Sequence, residues 1–106
     1  MPFVNLTPHA IHIQPDGLPA FTVLPSGTVA RCAESKNVVG NFEGVELVTN
    51  KFGDVYDLPV PVDNTIYIVS MVVRQAIERP DLASPGDLIR DAEGKIVGCR
   101  NLVVNR

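Results

Sequence analysis

The sequence predicts an α+β protein of mainly β character: a small curled sheet or partly open barrel of about seven short strands with one short helix. Three observations lead to this prediction. Short runs rich in β-branched and aromatic residues recur along the chain and are separated by turns that contain Pro and Gly. Apolar residues at helical spacing occur convincingly only between residues 70 and 78. Two prolines within residues 58–62 exclude a central strand there and predict an extended connector.

Residues 64–81 form the unit around which the other elements are predicted to lie. Residues 65–69, Thr-Ile-Tyr-Ile-Val, are apolar enough for a strand buried on both faces. Ser70 is a favoured N-cap because its hydroxyl can accept a hydrogen bond from a free amide of the first helical turn. The apolar face of the helix is then Val72, Val73, Ala76 and Ile77. Pro80 predicts that the helix ends near Glu78.

The other elements follow from alternation and turn residues. The strands predicted before this unit occupy residues 3–14, with a kink at Pro8, then 20–24, 28–33 and 43–49. Polar residues 34–41 predict a loop, and residues 50–53 predict a turn. A C-terminal β-hairpin is predicted with strands at 87–91 and 95–104. If Gly94 is left-handed, the hairpin loop carries a bulge and Arg90 pairs with Ile96.

Length and composition predict one domain, residues 1–106. The net charge of −3 argues against a protein that binds nucleic acid polymers. No apolar run has the length of a membrane span, and no secretion signal begins the chain, so we expect no membrane partner and a cytoplasmic location. Cys32 and Cys99 lack metal-site spacing. We therefore expect two buried free thiols, no metal ligand and no cofactor.

The candidate binding residues are cationic and hydroxyl groups. Ser70 begins a helix whose amides favour anions, and Arg79 follows that helix. In the predicted hairpin register, Arg90 and Arg100 share one face with Gly98 between their rows, an arrangement that suits a phosphate or carboxylate. The alternative is that both arginines form surface ion pairs with Asp87, Asp91 or Glu93. A register shift of one residue would place the two arginines on opposite faces.

The sequence also leaves two roles possible for His9. Alternation places His9 on the apolar face of its strand with Ile11 and Ile13, while His12 faces solvent. His9 is either a packed side chain whose ring nitrogens bind backbone groups, or a ligand-binding residue together with Thr7. Familiar phosphate-loop, dinucleotide-binding, metalloprotease and hydrolase motifs are absent from the sequence, so no catalytic residue is assigned.

Four sequence blocks carry a resemblance to a known group of proteins. They are Asn-Leu-Thr-Pro-His at 5–9, Pro-Ser-Gly-Thr-Val-Ala-Arg at 25–31, Thr-Ile-Tyr-Ile-Val-Ser at 65–70, and Arg-Asp…Gly-Lys-Ile-Val-Gly-Cys within 90–99. In this order they resemble a family of small uncharacterised proteins encoded in bacteriophages, prophages and bacterial genomes. Phage accessory proteins of this size often act by binding, and some capture nucleotide second messengers of bacterial immunity. By this analogy we expect an anti-defence protein.

Three hypotheses of function follow. The first is a non-enzymatic protein that sequesters a small anionic ligand of nucleotide type, using Thr7, His9, Ser70, Arg79, Arg90 and Arg100. The second is a small phosphodiesterase or lyase with His9 as general base and an arginine at the developing charge. The third is a structural or protein-binding module that uses exposed strand edges. Because one helix cannot cover the edges of so many strands, we also expect a homodimer or higher oligomer, with the pocket between subunits.

Overall fold

A computed structural model of the protein describes residues 3–106. In chain order the elements are β1 (Phe3–Asn5), β2 (Ile11–Ile13), β3 (Phe21–Val23), β4 (Arg31–Phe42), β5 (Val45–Tyr56), β6 (Ile66–Ile68), α1 (Met71–Ala76), β7 (Leu82–Arg90) and β8 (Ile96–Val104). Six strands form one sheet in the order β1-β6-β7-β8-β2-β3, and β4 pairs with β5 in a separate sheet. Within the six-stranded sheet, β6 lies between two parallel neighbours, β1 and β7.

The six-stranded sheet curls until its two edges almost meet. At the seam, the Ser26 amide donates a hydrogen bond to the Asn5 carbonyl at 3.0 Å. The rings of Phe3 and Phe21 stack across it with their centroids 6.0 Å apart. The predicted fold class, a mainly β protein with a partly open barrel and one short helix, is therefore confirmed. Residues 58–62 form no strand, as their prolines predict.

Two clusters of buried side chains lie on opposite faces of β6. Tyr67 and Val69 point to a cluster that includes Val73 of the helix, whereas Ile68 points into the curl of the sheet and contacts Cys99 and its neighbours. Successive strand residues face opposite sides, so a strand covered on both faces supplies two clusters. Ile68 is buried, as predicted for a strand buried on both faces. Of the predicted apolar helix face, Val73 is buried, Val72 and Ile77 are half-buried, and Ala76 is exposed.

The helix is short and is held at both ends by polar side chains. The Ser70 hydroxyl accepts a hydrogen bond from the Val73 amide at 3.2 Å, which confirms the predicted N-cap. The helix ends at Ala76, earlier than predicted. Beyond its end, the Asn105 side-chain amide lies 2.9 Å from the Arg74 carbonyl and 3.2 Å from the Ile77 carbonyl, and so satisfies carbonyls that the helix leaves free.

The largest difference from the sequence prediction is a long hairpin formed by β4 and β5. Residues 34–41, predicted as a loop, belong to β4, and residues 50–53, predicted as a turn, belong to β5. The actual turn is Glu43-Gly44, with φ of 51° and 84° between the paired residues Phe42 and Val45. Such a two-residue turn with positive φ matches the twist of a hairpin. Residues 34–37 and 50–51 are all polar, and this part of the hairpin has no buried face, so its strands show no alternation from which they could be predicted.

Candidate functional site

A cleft of about 540 Å³ opens where the segment before β2 separates from the β7–β8 hairpin. β2 pairs with β8 only at Ile13 and Cys99, and the residues before His12 form no strand pair with β8. The cleft is lined by His9, Ala10, Ile11, His12, Pro85, Leu88, Ile96, Val97, Gly98 and Cys99. Most of these residues are apolar, and three that the hairpin contributes are nearly half exposed: Leu88 47%, Ile96 49% and Val97 42%.

A β-bulge in the hairpin decides which arginine faces this cleft. Arg90 pairs with Ile96, as predicted, but the next pair is Ile89 with Gly98, so Val97 is an extra residue in β8. Beyond the bulge every residue of β8 faces the side opposite to the one predicted. Arg90 therefore shares a face with the cleft residues Leu88 and Ile96.

Arg100 lies on the other face, so the prediction that Arg90 and Arg100 share one face is wrong. An Arg100 Nη1 atom lies 3.5 Å from an Asp16 carboxylate oxygen in an exposed ion pair. The Arg90 guanidinium donates one hydrogen bond, to the Gly94 carbonyl at 2.9 Å, and its side chain is otherwise exposed. Within the described residues, neither arginine forms an ion pair with Asp87, Asp91 or Glu93. Arg90 keeps donors free for a ligand.

Gly98 has a structural explanation rather than a ligand-binding one. A Cβ atom at this position would lie 3.0 Å from the His12 carbonyl oxygen. The close approach that the sequence predicts at Gly98 is therefore made by the backbone of β2. The side chain of His12 faces solvent, as predicted, and its Nδ1 lies 2.7 Å from the Thr22 hydroxyl on the neighbouring strand.

Arg79 is held by groups of the protein itself. Its Nη2 and Nε donate to the two carboxylate oxygens of Asp81 at 2.6 and 3.0 Å, and its Nη1 donates to the Pro59 carbonyl at 2.9 Å. The hydrogen bonds from Arg79 hold the pKa of Asp81 below its usual range. The guanidinium also lies 5.9 Å from the centre of the Tyr67 ring. Arg79 therefore joins the connector to the loop before β7 and does not reach the cleft lining.

Ser70 and Thr7 are likewise engaged in local structure. Ser70 caps a helix of only six residues, and neither residue lines the cleft. The Thr7 hydroxyl lies 2.7 Å from the Asn5 Oδ1 atom and 3.0 Å from the His9 carbonyl, and its single proton serves one of these acceptors at a time. Of the six candidate residues, only His9 lines the cleft, and Arg90 lies on the strand face of the lining residues Leu88 and Ile96. The other four do neither.

Asn5 organises the segment that carries His9, although sequence reasoning did not select it. This side chain is 1% exposed; its amide donates to the His9 carbonyl at 2.7 Å and to the Val23 carbonyl at 3.0 Å. Its Oδ1 atom accepts a hydrogen bond from the Thr7 amide at 2.9 Å, which is an Asx-turn. The available signal was the Asn-x-Thr-Pro pattern, since Asn commonly binds the backbone two residues on.

Asn5 holds the backbone of His9, and the His9 ring lines the cleft and is exposed. It forms no hydrogen bond to any group in residues 3–106, so the alternative of a packed, backbone-satisfied histidine is not what the structure shows. The cleft offers an imidazole among apolar walls, and the Arg90 guanidinium belongs to the strand face of two lining residues, Leu88 and Ile96. This combination can hold a flat apolar group together with a negatively charged one.

The two thiols differ in environment. Cys99 is 1% exposed, and burial raises the pKa of its thiol. Cys32 is free but only half-buried, so the expectation of two buried thiols is wrong for Cys32. In the part of the chain that the structure describes, no group of three His, Cys, Asp or Glu residues is placed to hold a metal ion. Nor does that part contain a helix long and apolar enough to cross a membrane.

Comparison with protein-family models, curated proteins and solved structures found no match to this chain. The resemblance to small phage-encoded proteins therefore stays a prediction.

Proposed function

We propose that this protein binds a small anionic ligand with an apolar or aromatic part, without converting it, in the cleft beside β2 and the β7–β8 hairpin. The observation that carries the proposal is the placement of Arg90 on the same strand face as the apolar lining residues Leu88 and Ile96. A volume of about 540 Å³ lies in the range of small-molecule sites. A nucleotide combines the required features, since its base is flat and its phosphate accepts the forked donors of arginine.

Binding is favoured over catalysis by the chemistry of the lining. The ten lining residues include no carboxylate and no hydroxyl group, and the thiol of Cys99 is buried. His9 has no hydrogen-bonding partner that would orient its ring as a general base. In the setting that the phage resemblance indicates, the ligand would be a nucleotide immune signal, and its sequestration would be an anti-defence activity.

The first experiment is a thermal-shift screen of the protein against nucleoside monophosphates, linear dinucleotides and cyclic dinucleotides. A bound ligand raises the melting temperature in proportion to its concentration over its Kd. Chromatography of each mixture then shows whether the nucleotide returns intact. Intact recovery is expected. Recovery of a cleaved product that is lost in His9→Ala, with affinity nearly unchanged, would favour the phosphodiesterase or lyase hypothesis instead.

The hairpin offers a matched pair of variants that tests the site itself. We expect Arg90→Ala to weaken binding by about 1.5–3 kcal/mol, the range for a hydrogen bond to a charged group, and Arg90→Lys to restore only part of it. Arg100→Ala removes the same side chain from the opposite face of the same hairpin and should leave affinity unchanged. Titration calorimetry measures both. Equal losses in the two variants, or no loss in either, would contradict the proposed cleft.

A further inference from the structure

The strongest feature that the proposed function does not use is the outer part of the β4–β5 hairpin. We call residues 34–53 the arm. Every arm residue is exposed except Gly40, which is half-buried. Seven of the exposed residues are large and apolar, between 42% and 66% exposed: Val38, Val39, Phe42, Val45, Leu47, Val48 and Phe52. Exposed apolar side chains gathered on one projecting element indicate an interaction surface.

Both faces of the arm carry apolar side chains. The pairs Phe42–Val45 and Gly40–Leu47 place Phe42, Val45 and Leu47 on one face. A bulge between Val38 and Gly40 places the pair Val38–Val48 on the other face, which Phe52 shares. The body of the protein covers neither face, because the hairpin joins the buried cluster only through Cys32 and Val55 at its base.

The arm lacks the support that a β-hairpin ordinarily needs. The radius of gyration is 16.2 Å, whereas a compact chain of this length has about 13 Å, so the arm lies outside the body. A two-stranded hairpin without a third layer is marginally stable in water. Both strands also present unpaired edges. A partner that covers the arm would stabilise it, and a second copy of the same chain is present whenever the chain is made.

The charge and area of the arm fit a second copy. Its charged residues are of both signs, so two arms can approach without a large net repulsion: Glu34, Lys36, Glu43, Glu46 and Lys51. Strands of this length make an arm roughly 30 Å long and 10 Å wide, with about 600 Å² on its two faces together. A stable interface buries roughly 800 Å² per partner, so the two faces of the arm supply most of the required area.

We propose that the arm is the interface between two copies of this chain, related by a two-fold axis, with the two faces of each arm covered by the partner copy. This inference goes beyond the ligand-binding proposal and does not depend on it. An isologous arrangement is favoured because it covers both arms at once with one contact. Sedimentation velocity of the intact protein at 1 to about 50 µM should then show a species of twice the chain mass of 11.5 kDa.

Two neighbouring residues test the two faces separately. Leu47 and Val48 are similarly exposed, at 46% and 44%, and point to opposite faces of the arm. We expect Leu47→Glu and Val48→Glu each to raise the dimer dissociation constant roughly thirtyfold or more, as loss of a central contact does. Leu24→Glu, at a residue 71% exposed outside the arm, is the matched control and should leave the dimer intact. A monomeric parent protein at about 50 µM overturns the proposal, as does loss of the dimer in the control alone.

Hydrogen exchange of the unsubstituted protein keeps the proposal testable if the glutamate variants do not fold. Arm amides should exchange slowly at concentrations where the dimer is populated and rapidly after dilution below its dissociation constant, while amides of β6 stay protected at both. Arm amides that exchange rapidly in a protein that sediments as a dimer would place the interface elsewhere and overturn the inference.

Discussion

The replacement of Asn5 by Ala is the most informative test of how this fold presents His9. The Asn5 amide donates to the carbonyls of His9 and Val23, and its Oδ1 atom accepts from the Thr7 amide and faces the Thr7 hydroxyl. Among the described residues, no other side chain forms as many hydrogen bonds between the turn at residues 5–9 and the seam of the sheet. The variant removes all of these partners from a residue that is 1% exposed.

The expected loss of stability follows from which partners water can replace. Thr7 and His9 lie near the surface and can bind water, so their bonds cost little beyond about 1 kcal/mol each. Val23 is 5% exposed, and its carbonyl would lose its buried donor, which costs about 1–3 kcal/mol. The sum predicts a loss of about 3–5 kcal/mol. With a urea m-value near 2 kcal/mol/M, the unfolding midpoint should fall by about 1.5–2.5 M.

The variant Asn5→Asp keeps the size of the Asn5 side chain but removes its hydrogen-bond donor, and so tests hydrogen bonding separately from packing. The carboxylate keeps the size of the amide but directs negative charge at the carbonyls of His9 and Val23, so the loss at pH 7 should be at least as large as in Asn5→Ala. Burial should raise the folded-state pKa of the introduced carboxyl. A raised folded pKa means that the folded state binds the proton more tightly, so the variant should regain stability as the pH falls below that pKa.

Urea unfolding followed by circular dichroism measures all of these losses. Gln14→Ala is the control, because Gln14 is exposed and its side chain bonds to nothing in residues 3–106. It should change stability by less than about 0.5 kcal/mol. A loss below about 1 kcal/mol in Asn5→Ala would refute the reasoning, since it would mean that the Asn5 bonds do not hold the turn.

Two further predictions concern the ion pair and the strand contact. Arg79 lowers the folded-state pKa of Asp81, so their pair stabilises the protein above the unfolded pKa of about 4, and this contribution is lost as the pH falls through the folded pKa. Urea unfolding at stepped pH should therefore show a steeper acid loss for the parent than for Asp81→Asn; parallel curves would contradict it. Gly98→Ala places a Cβ atom 3.0 Å from the His12 carbonyl oxygen and should destabilise by about 1–3 kcal/mol, whereas Gly40→Ala meets nothing closer than 4.0 Å. Equal effects of the two alanines would show that this contact relaxes freely.

Local chemistry was sufficient to predict several parts of this protein. The Ser70 cap, the doubly buried strand that precedes it and the turn with Gly94 at φ 81° all depend on interactions within a few residues. The Glu43-Gly44 turn also had a local signal, a Gly after a polar residue between alternating strands. It was missed because an exposed strand of a projecting hairpin has no buried face to mark it.

The geometry of the site depends on strand pairing and on contacts between residues that are distant in the sequence. One extra residue at Val97 reverses which face Arg100 occupies, and no pattern within the hairpin requires that bulge. Arg79 bonds to Asp81 two residues further on, but its bond to the Pro59 carbonyl depends on where the connector lies. The sequence by itself therefore determined the Ser70 cap, the buried strand before it and the Gly94 turn, which short-range sterics and hydrogen bonds control. The tertiary structure alone decided that Arg90 and Arg100 lie on opposite strand faces, because strand parity changes with every inserted residue and is set by the pairing of the strands.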